Sequence, residues 1–160
     1  MKGCSSRREI EFARKGTMSI SSISSGTRQV AQQLVAFEAA TKKTPDDVAH
    51  ATCRVCEKLR IPLVTLTGTA GHRALLSRAL TLAKREAPAL SDVEILSDGS
   101  LSGLKGDAAQ AHPVLVAYLL GLLVTFIGLD LTMRLVHDIW PDFPDSNTTS
   151  SGRNSDDAAQ

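Results

Sequence analysis

The chain has 160 residues, 42% of them apolar, 22% charged and only 4% aromatic, with a formal net charge of +1. This is the composition of one ordinary globular domain, and it excludes a collagenous or disulfide-rich chain and one disordered throughout. Three cysteines cannot build a disulfide framework, and near-neutral charge excludes a globally basic nucleic-acid protein while leaving room for a local basic patch.

Residues 1–26 are rich in Ser, with Arg7, Arg8 and Arg14 among them, and read as a disordered head. No apolar run of secretory length occurs there, so no signal peptide is expected. An alternative start lies at Met18, because Arg14-Lys15-Gly16 can be written in purine-rich codons resembling a ribosome-binding site. Val30, Leu34 and Phe37 recur at i, i+4, i+7 and predict a first helix near 27–41. Thr44-Pro45-Asp46-Asp47 reads as a helix start, with Val48, Ala51, Val55 and Leu59 as one stripe up to an interruption at Pro62. A third helix is expected from about His72 to Ala87, ended by Pro88, and a short hairpin near 93–104 about the turn Ser97-Asp98-Gly99-Ser100. One long, strongly hydrophobic C-terminal helix should follow from about Pro113 to Trp140. Residues 142–160 read as a disordered acidic tail. The fold class is therefore all-α: a small helical bundle over 27–141.

The last helix decides between two settings. Val114 to Leu129 contains no charge, and its 16 residues span roughly 24 Å, short of a hydrocarbon core of ~30 Å. Extension to Val136 reaches roughly 34 Å but brings in Asp130 and Arg134. On a straight helix Tyr118, Gly121, Thr125, Gly128 and Thr132 fall on one face, a small-residue stripe fit for close helix packing. The run is expected to be the centre of a soluble bundle; a single membrane span over about 114–136 is the alternative.

Candidate chemistry is sparse. Cys53 and Cys56 form a lone C-x-x-C, with His50 one turn earlier and His72 as the nearest further ligand. A closed zinc site needs four such groups held together, and a lone pair of thiols is more often structural. Gly68-Thr69-Ala70-Gly71-His72-Arg73 lacks the Gly-Lys-Ser/Thr of a P-loop. No catalytic constellation emerges, so the expectation is a non-enzyme without a cofactor. Arg54, Lys58, Arg60, Arg73, Arg78, Lys84 and Arg85 face a single acid, Glu57, over the same stretch. Such a stretch can meet polyanions, or it can be a solvated face satisfied by the acidic stretch that follows.

Cys53 to Arg60, Thr69 to Pro88 and Leu119 to Gly128, with Asp98 to Leu104 and Asp138 to Pro141, resemble a family of short bacterial helical proteins without an assigned activity. The resemblance covers about residues 48–142. It implies a bacterial origin and one compact helical unit, and carries no catalytic residues over. The reading at this level is a non-catalytic interaction or regulatory module of the bacterial cytoplasm, with an unidentified protein partner. A single-pass inner-membrane protein and a nucleic-acid binder acting through residues 54–85 stay open as alternatives.

Overall fold

The computed structural model describes residues 23–41, 48–106 and 109–144. Helix α1 spans Ser25–Ala40, α2 spans Val48–Glu86, α3 spans His112–Ile127 and α4 spans Leu129–Ile139. Between α2 and α3 lie a 3-10 turn, Pro88–Leu90, and two strands, β1 Glu94–Ile95 and β2 Leu101–Ser102. The strands pair antiparallel, with Glu94 opposite Ser102 and Ile95 opposite Leu101. The all-α class and the small hairpin thus appear where the spacing placed them. The helix start expected at Thr44-Pro45-Asp46-Asp47 lies outside the described residues, as do 1–22 of the head and 145–160 of the tail.

α1 begins two residues before its expected start. Ser24 caps it, its Oγ accepting the Thr27 amide at 3.2 Å, which satisfies one of the free donors of the first turn. Thr27, Val30, Ala31, Leu34, Val35 and Glu38 face inward at helical spacing. Ile23, ahead of the cap, lies against Gly121 of α3. At the other end Phe143 is buried and meets Phe37 edge-on, with ring centroids 6.0 Å apart. Both flanks of the bundle therefore reach a few residues into the segments read from sequence as head and tail.

α3 is the centre. His112, Leu115, Val116, Ala117, Tyr118, Leu119, Leu120, Leu122 and Leu123 are all buried in it, and α1, α2 and α4 pack around it. Near-complete burial from Leu115 to Leu123 explains why that part of the segment has no charge: an unpaired charge there would be desolvated without compensation. Each fully buried Leu contributes about 1.5–3 kcal/mol.

Two expected boundaries move. The helix does not stop at Pro62; it continues to a break at Gly68 (φ 76°, ψ 170°), beyond which a second helical stretch, the expected third helix, runs to Glu86, so α2 is two helices across a kink. Pro62 removes a backbone hydrogen bond, a cost of about 3 kcal/mol. Leu59 and Leu63, fully buried on either side of it, offset that cost at about 1.5–3 kcal/mol each. The long C-terminal helix is in fact two helices, broken at Gly128 (φ 85°, ψ 163°). Among the described residues no helix is long and apolar enough to cross a membrane, so the alternative of a single helical span over 114–136 is not formed.

The break also dismantles the small-residue stripe. Tyr118 is buried, but Thr125 is exposed, its hydroxyl donating to the Gly121 carbonyl at 2.9 Å. Thr132 belongs to α4, buried, and donates to the Gly128 carbonyl at 2.8 Å. No backbone approaches Gly121; a methyl added there would meet only the Ile23 side chain, at 3.6 and 3.8 Å. Around Gly128 there is open space, and what the position demands is its backbone angle, a region essentially restricted to glycine. Two alanine substitutions should therefore differ in sign. Gly121→Ala should gain up to about 1 kcal/mol of helix propensity, and Gly128→Ala should lose about 1–3 kcal/mol to backbone strain. Urea melts of the two variants measure both; equal shifts in one direction would contradict this assignment.

Candidate functional site

The basic stretch of α2 divides into residues that hold the fold together and residues that face outward. Glu38 is only 4% exposed. The periodicity of α1 carries it to the inner face, four residues after Leu34. Arg54 Nε donates to its Oε1 at 3.2 Å, and Lys58 Nζ to its Oε2 at 2.8 Å. Trp140 Nε1, following α4, donates to the same Oε2 at 2.8 Å. An Arg54 guanidinium N–H also reaches the Glu38 carbonyl at 3.1 Å, and the Lys58 ammonium sits 5.5 Å over the Trp140 ring. One carboxylate thus ties α1, α2 and the end of α4 together. Burial pushes the Glu38 carboxyl upward, but hydrogen bonds from Lys58 and Trp140 and the Lys58 charge outweigh it, and the net shift is downward.

Glu86, at the end of α2, plays a similar role nearer the surface. Both terminal nitrogens of Arg28 donate to its two oxygens, and Tyr118 donates its hydroxyl proton to Oε2 at 2.8 Å. Tyr118, expected as part of a packing stripe, is therefore a donor linking α3 to this pair. The Arg28 hydrogen bonds hold the Glu86 carboxyl below its ordinary range. Arg60 pairs with Glu57 at 3.1 Å and donates to the Asp98 carbonyl at 3.0 Å, which fastens the hairpin turn to α2. So Arg54, Lys58 and Arg60 are engaged within the fold, two of them by an acid from α1 rather than by the acidic stretch downstream. Arg73, Arg78 and Arg85 make no ion pair among the described residues, and Lys84 lies in the field of Asp92.

Lowered carboxyl pKa values at Glu38 and Glu86 mean that both stabilise the fold when ionised. Their contribution is present above the ordinary carboxylate pKa near ~4.3 and disappears as pH falls through the lower folded values. His72 adds to acid sensitivity: burial lowers its pKa, so the fold disfavours its charged form below about pH 6.5. Glu38→Gln leaves Arg54 and Lys58 without their anion; because both cations reach solvent, the cost should be about 1–3 kcal/mol. Melting curves against pH should show the wild type losing some stability below about pH 6.5, through His72, and more below about pH 4, with a shallower slope in that lower range in Glu38→Gln. An unchanged slope would remove Glu38 from this role.

The thiol and imidazole candidates do not converge. Among the described residues no three His, Cys, Asp or Glu side chains are grouped so as to hold a metal. His50 is exposed, Cys53 half-buried and Cys56 buried, all on the first part of α2. His72 lies beyond the Gly68 break, buried beneath Gly99 of the hairpin turn. Burial pushes the Cys56 thiol up to about 12, so it stays protonated and unreactive near neutrality. Iodoacetamide at pH 8 should modify Cys56 only after denaturation; rapid labelling of the native protein would contradict its burial.

The surface feature that sequence reading missed is a repeated helix ending. Leu63-Val64-Thr65-Leu66-Thr67-Gly68 and Leu123-Val124-Thr125-Phe126-Ile127-Gly128 stand 60 residues apart and share Leu, Val, Thr and Gly in register. Both end on a glycine with nearly the same backbone angles. In each, the threonine hydroxyl donates to the carbonyl four residues earlier, at 3.0 Å for Thr65 and 2.9 Å for Thr125. Each buries its leucine and projects the residue two before the glycine: Leu66 is 57% exposed and Phe126 62%. The two endings border one groove of about 460 Å³, walled by Leu63, Leu75 and Leu123, with Arg78 on its side. Leu129 and Leu131, just past the second break, are also about half exposed. A search for internal similarity at fixed spacing would have found the paired motif in the sequence.

Comparison with protein-family models, curated proteins and solved structures gave no match to this chain.

Proposed function

We propose that this chain is a non-catalytic interaction module of the bacterial cytoplasm, and that its contact surface is the apolar end formed by the two glycine breaks. The observation that carries this reading is the groove between Leu66 and Phe126. Large apolar side chains more than half exposed, gathered about a concave apolar surface, are a common mark of a docking site. The two glycines support the same reading. Each helix stops two residues beyond its exposed side chain, Leu66 or Phe126, so that both sit at helix ends.

The non-catalytic part rests on how the reactive groups are used. Glu38 and Glu86 are committed to structural hydrogen bonds, and Cys56 is held protonated. The bacterial setting rests on the resemblance of the blocks at 53–60, 69–88 and 119–128.

Photo-crosslinking in the expressing cell tests the surface. A benzoylphenylalanine placed at Leu66 or at Phe126 should give adducts, with a protein or with lipid, and one at Gln32, on the exposed side of α1, should not. Adduct yields at 66 and 126 no higher than at 32 would overturn the assignment.

A further inference from the structure

We infer that the apolar end docks on an anionic lipid bilayer surface, with Leu66 and Phe126 entering the interface and the outward arginines of α2 on the headgroups. This rests on the reading of that end as the contact surface and names what it contacts. On the part of α2 after Gly68, His72, Leu76, Ala79, Leu80 and Ala83 face the core. Arg73, Ser77, Arg78, Thr81 and Arg85 fill the exposed side, and no acid occurs between Gly68 and Arg85. Arg73 and Lys84 share a surface hollow with Glu94, so Arg78 and Arg85 carry most of the uncompensated charge. Arg78 also walls the apolar groove, which puts a cation directly beside the exposed Leu66 and Phe126.

Protruding apolar groups beside Arg78, on a helix face with no acid from Thr69 to Arg85, favour an anionic partner. Here the arginine side is cationic, and Asp130, beside Leu129, is followed one turn on by Arg134. An anionic leaflet attracts such residues by about 1 kcal/mol each near the surface, an attraction that fades within a Debye length. Exposed Leu and Phe side chains then add the apolar term that keeps a peripheral protein at the interface. Neither contribution requires a spanning helix, in agreement with the lack of one among the described residues.

Co-sedimentation of the full chain with vesicles of phosphatidylcholine, alone or mixed with phosphatidylglycerol, tests this. Binding should require the anionic lipid and weaken as salt is raised. Arg78→Gln and Arg85→Gln should each weaken it about fivefold. Leu66→Ser combined with Phe126→Ser should reduce it further while leaving the melting temperature near that of wild type, because both side chains are mostly exposed. Gln32→Glu on α1 is the control and should change little. Failure to bind either vesicle would overturn the inference. So would anionic binding indifferent to Leu66 and Phe126, which would be surface adsorption of a polycation alone. Self-association lost in the Leu66→Ser, Phe126→Ser variant, without vesicle binding, would assign the surface to a second copy. In that case, or with a protein adduct at Phe126, the contact-surface reading stands and the bilayer does not; lipid adducts at 66 and 126 fit both, and no adduct of either kind there overturns the contact-surface reading.

Discussion

Glu38 carries a negative charge into the middle of a bundle whose other inner side chains are almost all apolar, and the architecture is arranged around satisfying it. An isolated carboxylate there would cost several kcal/mol to desolvate. Arg54 and Lys58 supply the countercharge from α2, and the Trp140 indole supplies a neutral donor from the end of α4. Because these donors come from different elements, the carboxylate can be satisfied only when α1, α2 and the α4 terminus are all in place. A uniformly apolar core could slide by a helical turn at modest cost; a buried carboxylate with three fixed donors resists that slide. The pair formed by Arg28 and Glu86, with the Tyr118 hydroxyl on the same carboxylate, repeats the arrangement near the surface. There solvent weakens the charges, and the contribution to stability is correspondingly smaller.

With register held by polar contacts, the course of the chain is governed by two glycines. Gly68 and Gly128 adopt nearly the same left-handed, extended backbone, and each turns what would be one helix into two. The break at Gly128 frees α4 to return across the bundle, so that Val136 and Trp140 are buried and Phe143 reaches Phe37. A straight helix from His112 to Ile139 would have carried those residues away from the core. Within α3 and α4, apolar content therefore serves interior packing up to Leu123, and its largest exposed side chains are Phe126, Leu129 and Leu131.

Charge follows the same division. Cations before the Gly68 break are drawn into internal pairs, and arginines after it stay on the solvent side. The part of the basic stretch that remains available is consequently smaller than the sequence suggests, and one member of it, Arg78, lies at the exposed apolar end. That adjacency, more than the total charge, underlies the proposed docking surface.

Periodicity by itself determined that the chain is helical, where the hairpin lies and that α3 is the central element. Val30 and Leu34, the stripe of α2, and the uncharged run from Val114 each report local spacing, which is a property of neighbouring residues. The pairing of Glu38 was not legible, because its partners stand 16, 20 and 102 residues away and nothing local marks an acid on an apolar stripe as satisfied. The breaks were half legible: Gly68 and Gly128 are plain in the sequence, and so is the motif they share. Whether a glycine in an apolar run permits close packing or takes a backbone angle closed to other residues depends on what surrounds it. At Gly121 a neighbouring side chain decided for an ordinary helix, and at Gly128 the burial available to α4 decided for a break. Tertiary packing made those choices, since it alone sets the energy gained by reversing the chain against the helical hydrogen bonds given up.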